Sequence, residues 1–207
     1  MRLNVNPTRM ELLALKDRLS LARRGHKLLK DKLEGLLKNF LDLSNQFIRR
    51  REEFDYKFSE IIKRYYTLTA SYTPEELELI LSGGDFKINL SQKELSIMNV
   101  RFPVFLSEFQ GTPYSYPFTF LNSDFDLLYY DVRESLLELI ELSSIQQELF
   151  LIALEISKVR RRVNALEYIM IPNLEETVKY IADKLEELER ENIARLLKVK
   201  DIISGKG

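Results

Sequence analysis

The chain has 207 residues and charged side chains make up 30% of them, yet 31 Lys and Arg nearly cancel 32 Asp and Glu, leaving a formal net charge of -1. That balance argues against a nucleic-acid or anionic-membrane binder driven by bulk charge, and with no cysteine and one histidine there are no disulfides, thiolate metal sites, thiol nucleophiles or histidine clusters. Only 7 Gly and 6 Pro leave little turn chemistry for many short elements, which favours a rod.

Met1 to Pro7 lack the apolar core of a signal peptide, and no apolar run of about 18 residues occurs that could span a bilayer. The expectation is a soluble, cytoplasmic protein. Thr8 and Glu11 form a capping box in which the hydroxyl accepts from the N3 amide and the carboxylate reaches back to the cap amide, so a helix starts near residue 8. From there Leu12, Leu15, Leu19, Ala22, His26, Leu29, Leu33, Leu36, Phe40, Leu43 and Phe47 fall alternately three and four apart. A stripe repeating every ~3.5 residues stays on a partner helix only by left-handed supercoiling, so this is a coiled-coil seam. Beyond Phe47 the seam is expected to step eleven residues to Phe58 and continue at Ile61, Tyr65 and Leu68, a step that locally relaxes the supercoil. Taken to Tyr66, the helix is roughly 90 Å long.

Between Thr67 and Asn122 the pattern changes. Thr73, Pro74, Glu75 and Glu76 supply a cap, a first-turn proline and an N3 carboxylate for a short helix ending at Gly83 and Gly84. Phe86, Ile88 and Leu90 alternate with polar residues, and Ile97, Val100, Phe102, Val104 and Phe105 are β-prone, which predicts a small β-hairpin. Gly111, Pro113 and Pro117 punctuate a Tyr/Phe-rich loop, and Ser123 with Asp126 caps the next helix. The heptad returns at Ile145, Leu149, Ile152, Ile156, Val159, Val163, Leu166 and Met170. Pro172 kinks or interrupts this helix, and Leu174, Val178, Ile181, Leu185 and Leu188 carry a seam beyond it. Glu175/Lys179, Glu186/Arg190 and Glu191/Arg195 are i,i+4 pairs in the favourable order.

The fold class expected is therefore mainly α: a long antiparallel two-helix coiled coil with a short helix and small β-hairpin head inserted between the helices. The divisions are 1–66 (N-terminal helix), 67–122 (head) and 123–207 (C-terminal helix, kinked near Pro172, with a terminal tip). If the turn centres near residue 95, paired positions add to roughly 190, and residues past about 182 project as an unpaired tip.

Catalytic motifs are absent. Gly83-Gly84 is a tight turn and not a phosphate loop, since no Gly-Lys-Ser/Thr follows. Carboxylates sit beside Lys and Arg on helix faces, the pattern of a solvated surface. Catalytic, cofactor-binding and metal-binding residues are each expected to be none. Four residues are candidates for setting helix register: Gly25, His26, Asn164 and Glu167. The antiparallel sum brings Gly25-His26 near Val163, Asn164 and Glu167, where polar groups satisfy the histidine and phase the pair as buried polar residues do in coiled coils. Gly25 is either a tolerated mid-helix cost of about 1 kcal/mol or the mark of a closely approaching backbone. Arg49-Arg50-Arg51 and Arg160-Arg161-Arg162 belt their helices, because adjacent positions point about 100° apart. They serve solubility, or contact an acidic partner surrounding the rod.

Pro7 to Lys32 (Pro-Thr-Arg-Met-Glu-Leu-Leu-Ala-Leu-Lys-Asp-Arg-Leu-Ser-Leu-Ala-Arg-Arg-Gly-His-Lys-Leu-Leu-Lys-Asp-Lys) closely resembles the D subunit of V-type and archaeal-type ATPases/ATP synthases. So do Arg161-Arg162-Val163-Asn164-Ala165-Leu166-Glu167, Ile171-Pro172 and Glu187-Leu188-Glu189-Arg190-Glu191. The gamma subunit of F-type enzymes shares the two-helix plan but carries a larger domain between its helices. The resemblance implies a central-stalk rotor axle, without cofactor or catalytic group, inside a hexamer of catalytic A and non-catalytic B subunits. Its head end would bind the central-stalk F subunit and rest on the C (d-type) subunit above the membrane ion ring. It implies a cytoplasmic location, peripheral to the membrane, with Arg160, Arg161 and Arg162 as candidate hexamer contacts. A static coiled-coil scaffold or tether would account for the heptads, but not for the two motifs or the β-prone insertion.

Overall fold

The computed structural model describes residues 5–82, 87–111 and 123–205. It is mainly α-helical: α1 (Arg9–Thr69), α2 (Pro74–Ser82), β1 (Lys87–Ile97), β2 (Val100–Gln110), α3 (Ser123–Ala165), a π-helical turn (Leu166–Met170) and α4 (Ile171–Ile203). Two compact units share these elements: one joins the chain up to Gly35 with Ser157 onward, the other is Leu36–Ile156.

Local chemistry accounts for the helix starts. The Glu11 amide donates to Thr8 Oγ1 at 3.3 Å, the first half of the capping box. At α2 both halves form, with the Thr73 amide donating to Glu76 Oε2 at 2.8 Å and the Glu76 amide to Thr73 Oγ1 at 3.4 Å. The Thr73 amide, followed by the Thr73 hydroxyl, holds the Glu76 carboxyl below the usual range by hydrogen bonding to it. The glycines expected to end α2 and the Tyr/Phe-rich loop after Gly111 lie outside the described residues.

In the first unit α1 runs antiparallel to α4. Leu15, Leu174 and Ile181 form its buried core, with Val5, Leu12, Leu19, Ala22, Val178 and Leu185 packed around them. Thr177 is also buried there, its hydroxyl donating to the Asn173 carbonyl at 2.7 Å. Pairing extends well past residue 182, since Glu189 accepts a hydrogen bond from Arg9. The expected tip therefore starts later. The sum governing the register is 198 for Arg9 and Glu189 and again for Arg23 and Glu175, larger than the value assumed from a turn at residue 95.

In the second unit α1 runs antiparallel to α3. Lys57 pairs with Glu138 at 2.6 Å, Arg64 with Asp131 at 2.5 Å and Arg50 with Glu141 at 3.4 Å. Every α1 seam position from Leu12 to Phe47 is buried or half-buried. Past Phe47 the expected eleven-residue step does not occur. Phe54 is 8% exposed and fills the seam, followed by buried Ile61 and half-buried Leu68, while Phe58 is 42% exposed and Tyr65 is also outside. Phe47, Phe54, Ile61 and Leu68 keep a strict heptad, which holds the stripe on one partner. Phe58 stacks on Phe54 one turn away, ring centres 5.5 Å apart.

The hairpin turns through Met98 and Asn99, both left-handed (φ 50° and 71°), as a two-residue turn matching the strand twist requires. β2 is the strand nearer the helices. Val100 and Phe102 are buried, the Phe105 amide donates to Ser144 Oγ of α3 at 3.1 Å, and the Arg133 guanidinium lies 5.0 Å over the Phe109 ring. At the turn, Asn39 Nδ2 donates to Met98 Sδ at 3.6 Å. β1 is exposed along its length except at Ile88.

Candidate functional site

Three features follow from the residues singled out in the sequence: the His26 cluster, the π turn beside it, and the arginine belts. His26 occupies a seam position on α1, and its Nε2 lies 3.5 Å from Glu167 Oε2. That is longer than a charge-assisted hydrogen bond, and the nitrogen is buried without a hydrogen-bond partner among the described residues. Structure thus brings His26 and Glu167 together. Asn164 is exposed. An added Cβ on Gly25 would meet nothing within 4 Å, so no second backbone requires glycine there. Gly25 instead lies along a groove of about 600 Å³ with Leu21, Ala22, Leu166, Ile169, Met170 and Leu174, where its missing side chain leaves space.

The π turn explains why Met170, expected in the seam, is 51% exposed while Leu174 and Ile181 are buried. The Ile171 amide donates to the Leu166 carbonyl, five residues back. Pro172 has no amide to give, and its ring crowds the carbonyl four residues before it. Widening the preceding turn relieves that crowding and inserts one residue into the helical repeat. The seam then passes from Val163 and Leu166 to half-buried Ile171, Leu174, Val178, Ile181 and Leu185. In the sequence, the inserted residue is visible as three successive steps of four, from Leu166 through Met170, Leu174 and Val178. Leu188, the last seam position expected, is 44% exposed.

Electrostatics along the helices is mostly pairwise. Glu186–Arg190 and Glu191–Arg195 form the expected i,i+4 pairs. Glu175 does not serve Lys179 but reaches across to Arg23, at 2.7 Å. Arg50 and Arg51 are engaged by Glu141 and Asp55. Arg160, Arg161 and Arg162 are all exposed, and among the described residues none has an ion-pair partner. Arg161 Nε donates only to the Ser157 carbonyl, at 3.3 Å. Three cations on one turn, without carboxylates to answer them there, offer a surface for anionic groups.

Among the described residues no cluster of three or more His, Cys, Asp or Glu is placed to hold a metal ion, and no helix is long and apolar enough to cross a membrane. A polar cleft of about 530 Å³ is lined by Lys57, Arg64, Asp131 and Glu138, whose charges are already paired with one another. Sequence reasoning missed two positions of the second unit, Phe54 and Glu148. The first was legible as the heptad successor of Phe47. The second had no signal, because only the fold sets half-buried Glu148 of α3 in a groove shared with Val104 to Ser107 of β2.

The sequence profile of the ATP synthase D subunit family matches residues 11–201. The chain is 43% identical to the V-type ATP synthase D subunit of Acetivibrio thermocellus over 209 residues, covering 97% of this chain and 92% of that one. It is 42% identical to the protein of the same description from Fusobacterium nucleatum subsp. nucleatum, covering 98% and 97%. With that from Clostridium botulinum (strain ATCC 19397 / Type A) it shares 39% identity over 100% and 98%.

Proposed function

The chain belongs to the ATP synthase D subunit family and is a subunit of a V-type ATP synthase complex, and on that premise we propose that it is the complex's non-catalytic central rotor shaft. It transmits torque between the A/B catalytic hexamer and the membrane ion ring, with the F subunit and the C (d-type) subunit as its partners at the head end. ATP chemistry belongs to the A/B interfaces, and this chain supplies no catalytic group.

The observation that carries this reading is the division of labour along α1. Its apolar stripe from Leu12 to Phe47 is buried or half-buried throughout, whereas its outer faces carry mixed charge interspersed with single exposed apolar residues such as Leu13, Leu21, Leu28 and Leu41. A shaft must resist bending and must turn without sticking. Seam packing between two helices serves the first need, and a mixed-sign exterior serves the second. Arg160, Arg161 and Arg162, without ion-pair partners among the described residues, supply contacts that change with rotation angle. Only contacts that differ between rotational states can bias the conformation of each catalytic site. A static spacer would more often leave its seam for a second copy, and here the seam is filled within the chain.

The test is co-expression with the A, B and F subunits, followed by ATPase assay of the purified assembly with and without this chain. One copy per A/B hexamer, with sustained turnover depending on it, is the expected result. A homodimer that ignores those subunits would sink the rotor reading.

A further inference from the structure

The hairpin has two long edges, and they are not alike. Register fixes which groups face outward. The turn at Met98-Asn99 makes Ile97 and Val100 the terminal hydrogen-bonded pair, and bonded pairs alternate with non-bonded ones along an antiparallel ladder. Odd-numbered residues of β1 therefore bond to β2, while the amides and carbonyls of Ile88, Leu90, Gln92, Glu94 and Ser96 point away from it. On β2 the outward groups are those of Arg101, Pro103, Phe105, Ser107 and Phe109.

The outer edge of β2 is blocked at its middle, at Pro103 and Phe105. Pro103 has no amide to offer, its place opposite Glu94 being one where proline costs no ladder bond. The Phe105 amide, which this register turns outward, is taken by Ser144 Oγ. Among the described residues the outer edge of β1 is open. No other described strand pairs with it, and from Asn89 to Ile97 every residue is exposed. It carries no proline and no bulge, and charge at Lys87, Lys93 and Glu94 is the one edge-blunting device within the strand.

We infer that the outer edge of β1 takes up an extended segment of a neighbouring subunit of the complex as a third strand. A row of alternating free amides and carbonyls is matched by an extended backbone and by little else. A two-stranded sheet is marginal alone and gains from a third strand. Charge defines the partner segment further. Lys87 and Lys93 share one face of β1, both exposed and without an ion-pair partner among the described residues. Carboxylates on that face of the added strand satisfy them. In the antiparallel register centred on Lys93 a second copy of this chain would set Lys93 opposite Lys93 and supply no carboxylate there. The inference rests on membership of the complex and not on rotation.

Amide hydrogen exchange on the assembled complex and on the isolated chain tests it. Leu90, Gln92 and Glu94 should exchange about tenfold or more slowly in the assembly than in the isolated chain, with Ser91 and Lys93 slow in both. Equal exchange of the even-numbered amides in the two samples would overturn the inference. Protection already present in an isolated dimer would assign the edge to a second copy and overturn it as well. Gln92→Pro removes one outward donor and no ladder bond. It should weaken retention in the complex about tenfold while the melting temperature and the Ser91 and Lys93 exchange hold, and Gln92→Ala should bind as the unaltered chain does. If the proline variant disturbs the hairpin, the exchange comparison alone decides. Lys87→Glu with Lys93→Glu should likewise weaken retention, and unchanged retention would overturn the acidic character of the partner strand. ATP turnover independent of this chain, with the alternating protection intact, would remove the rotor reading and leave this inference standing.

Discussion

Ile171 donates its amide to the carbonyl of Leu166, so one extra residue sits in the helical repeat just before Pro172. The consequence is a shift of seam phase that brings Leu174 and Ile181 against Leu15. Deleting Ile169, which is exposed, removes the extra residue and returns the stripe from Val163 to Leu185 to an unbroken heptad. Deleting Lys179 shifts Ile181 and Leu185 off the seam with no bulge to absorb the change. The melting temperature should fall by about 5–15 °C for the Lys179 deletion, the cost of unburying large core side chains. The Ile169 deletion should lower it by clearly less. Equal losses would show that the π turn is not the phase adjuster.

Phe54 and Phe58 stack on each other, but only Phe54 is in the seam. Phe54→Ala should cost about 3–5 kcal/mol, and Phe58→Ala about 1 kcal/mol or less, because much of its ring is already in water. Urea unfolding of the two variants measures the contrast. Comparable losses would restore the eleven-residue step.

Gly25→Ala should stabilise the chain by about 1 kcal/mol, the helix-interior penalty of glycine, since the added methyl meets open space. That is an increase of about 2–4 °C in melting temperature for a chain of this size. A decrease would mean that Gly25 is needed for a close contact after all.

Glu148, on α3, lines a groove shared with β2, and partial burial pushes its carboxyl above the ordinary glutamate range. A carboxyl whose folded pKa is raised binds its proton more tightly in the folded state. Its favourable contribution is therefore complete below the unfolded pKa of about 4.3 and is lost as pH rises through the folded value. Glu148→Gln should raise the melting temperature at pH 7 by about 1–2 °C, a small effect because solvent still screens the group. At pH 3 the variant and the unaltered chain should melt together. A gain at pH 3 as large as that at pH 7 would rule out the charge as the cause.

Arg161→Glu with Arg162→Glu reverses exposed surface charge and removes no packing. The isolated chain should keep its melting temperature within about 2 °C, as surface substitutions do, while ATPase activity and ion transport of the assembly fall together. Intact activity in both assays would exclude these arginines from the hexamer contact.

Much of this protein was legible in its sequence. The α1 seam as far as Phe47, the capping box of α2 and the hairpin each rest on a periodicity or on residues close in sequence. Phe54 was legible too, had the heptad been continued without yielding to the second aromatic at Phe58. Reading the polar cluster was less reliable. Its members were placed by an assumed antiparallel sum, and a few residues of offset suffice to turn Asn164 outward. Glu175 pairing with Arg23, not with Lys179, is the same lesson in charge, because i,i+4 spacing states what is near on one helix and not what stands across from it.

The sequence by itself determined which residues form helices and which stripe each helix buries, because helical period and capping are local properties of neighbouring residues. It also determined the family. Tertiary structure alone decided the register of α1 against α3 and α4, the partial burial of Glu148, and the difference between the two hairpin edges. Those depend on which backbone and side-chain groups meet across long stretches of chain, and an alternating strand reads the same whether its outer edge is covered by Ser144 or left open.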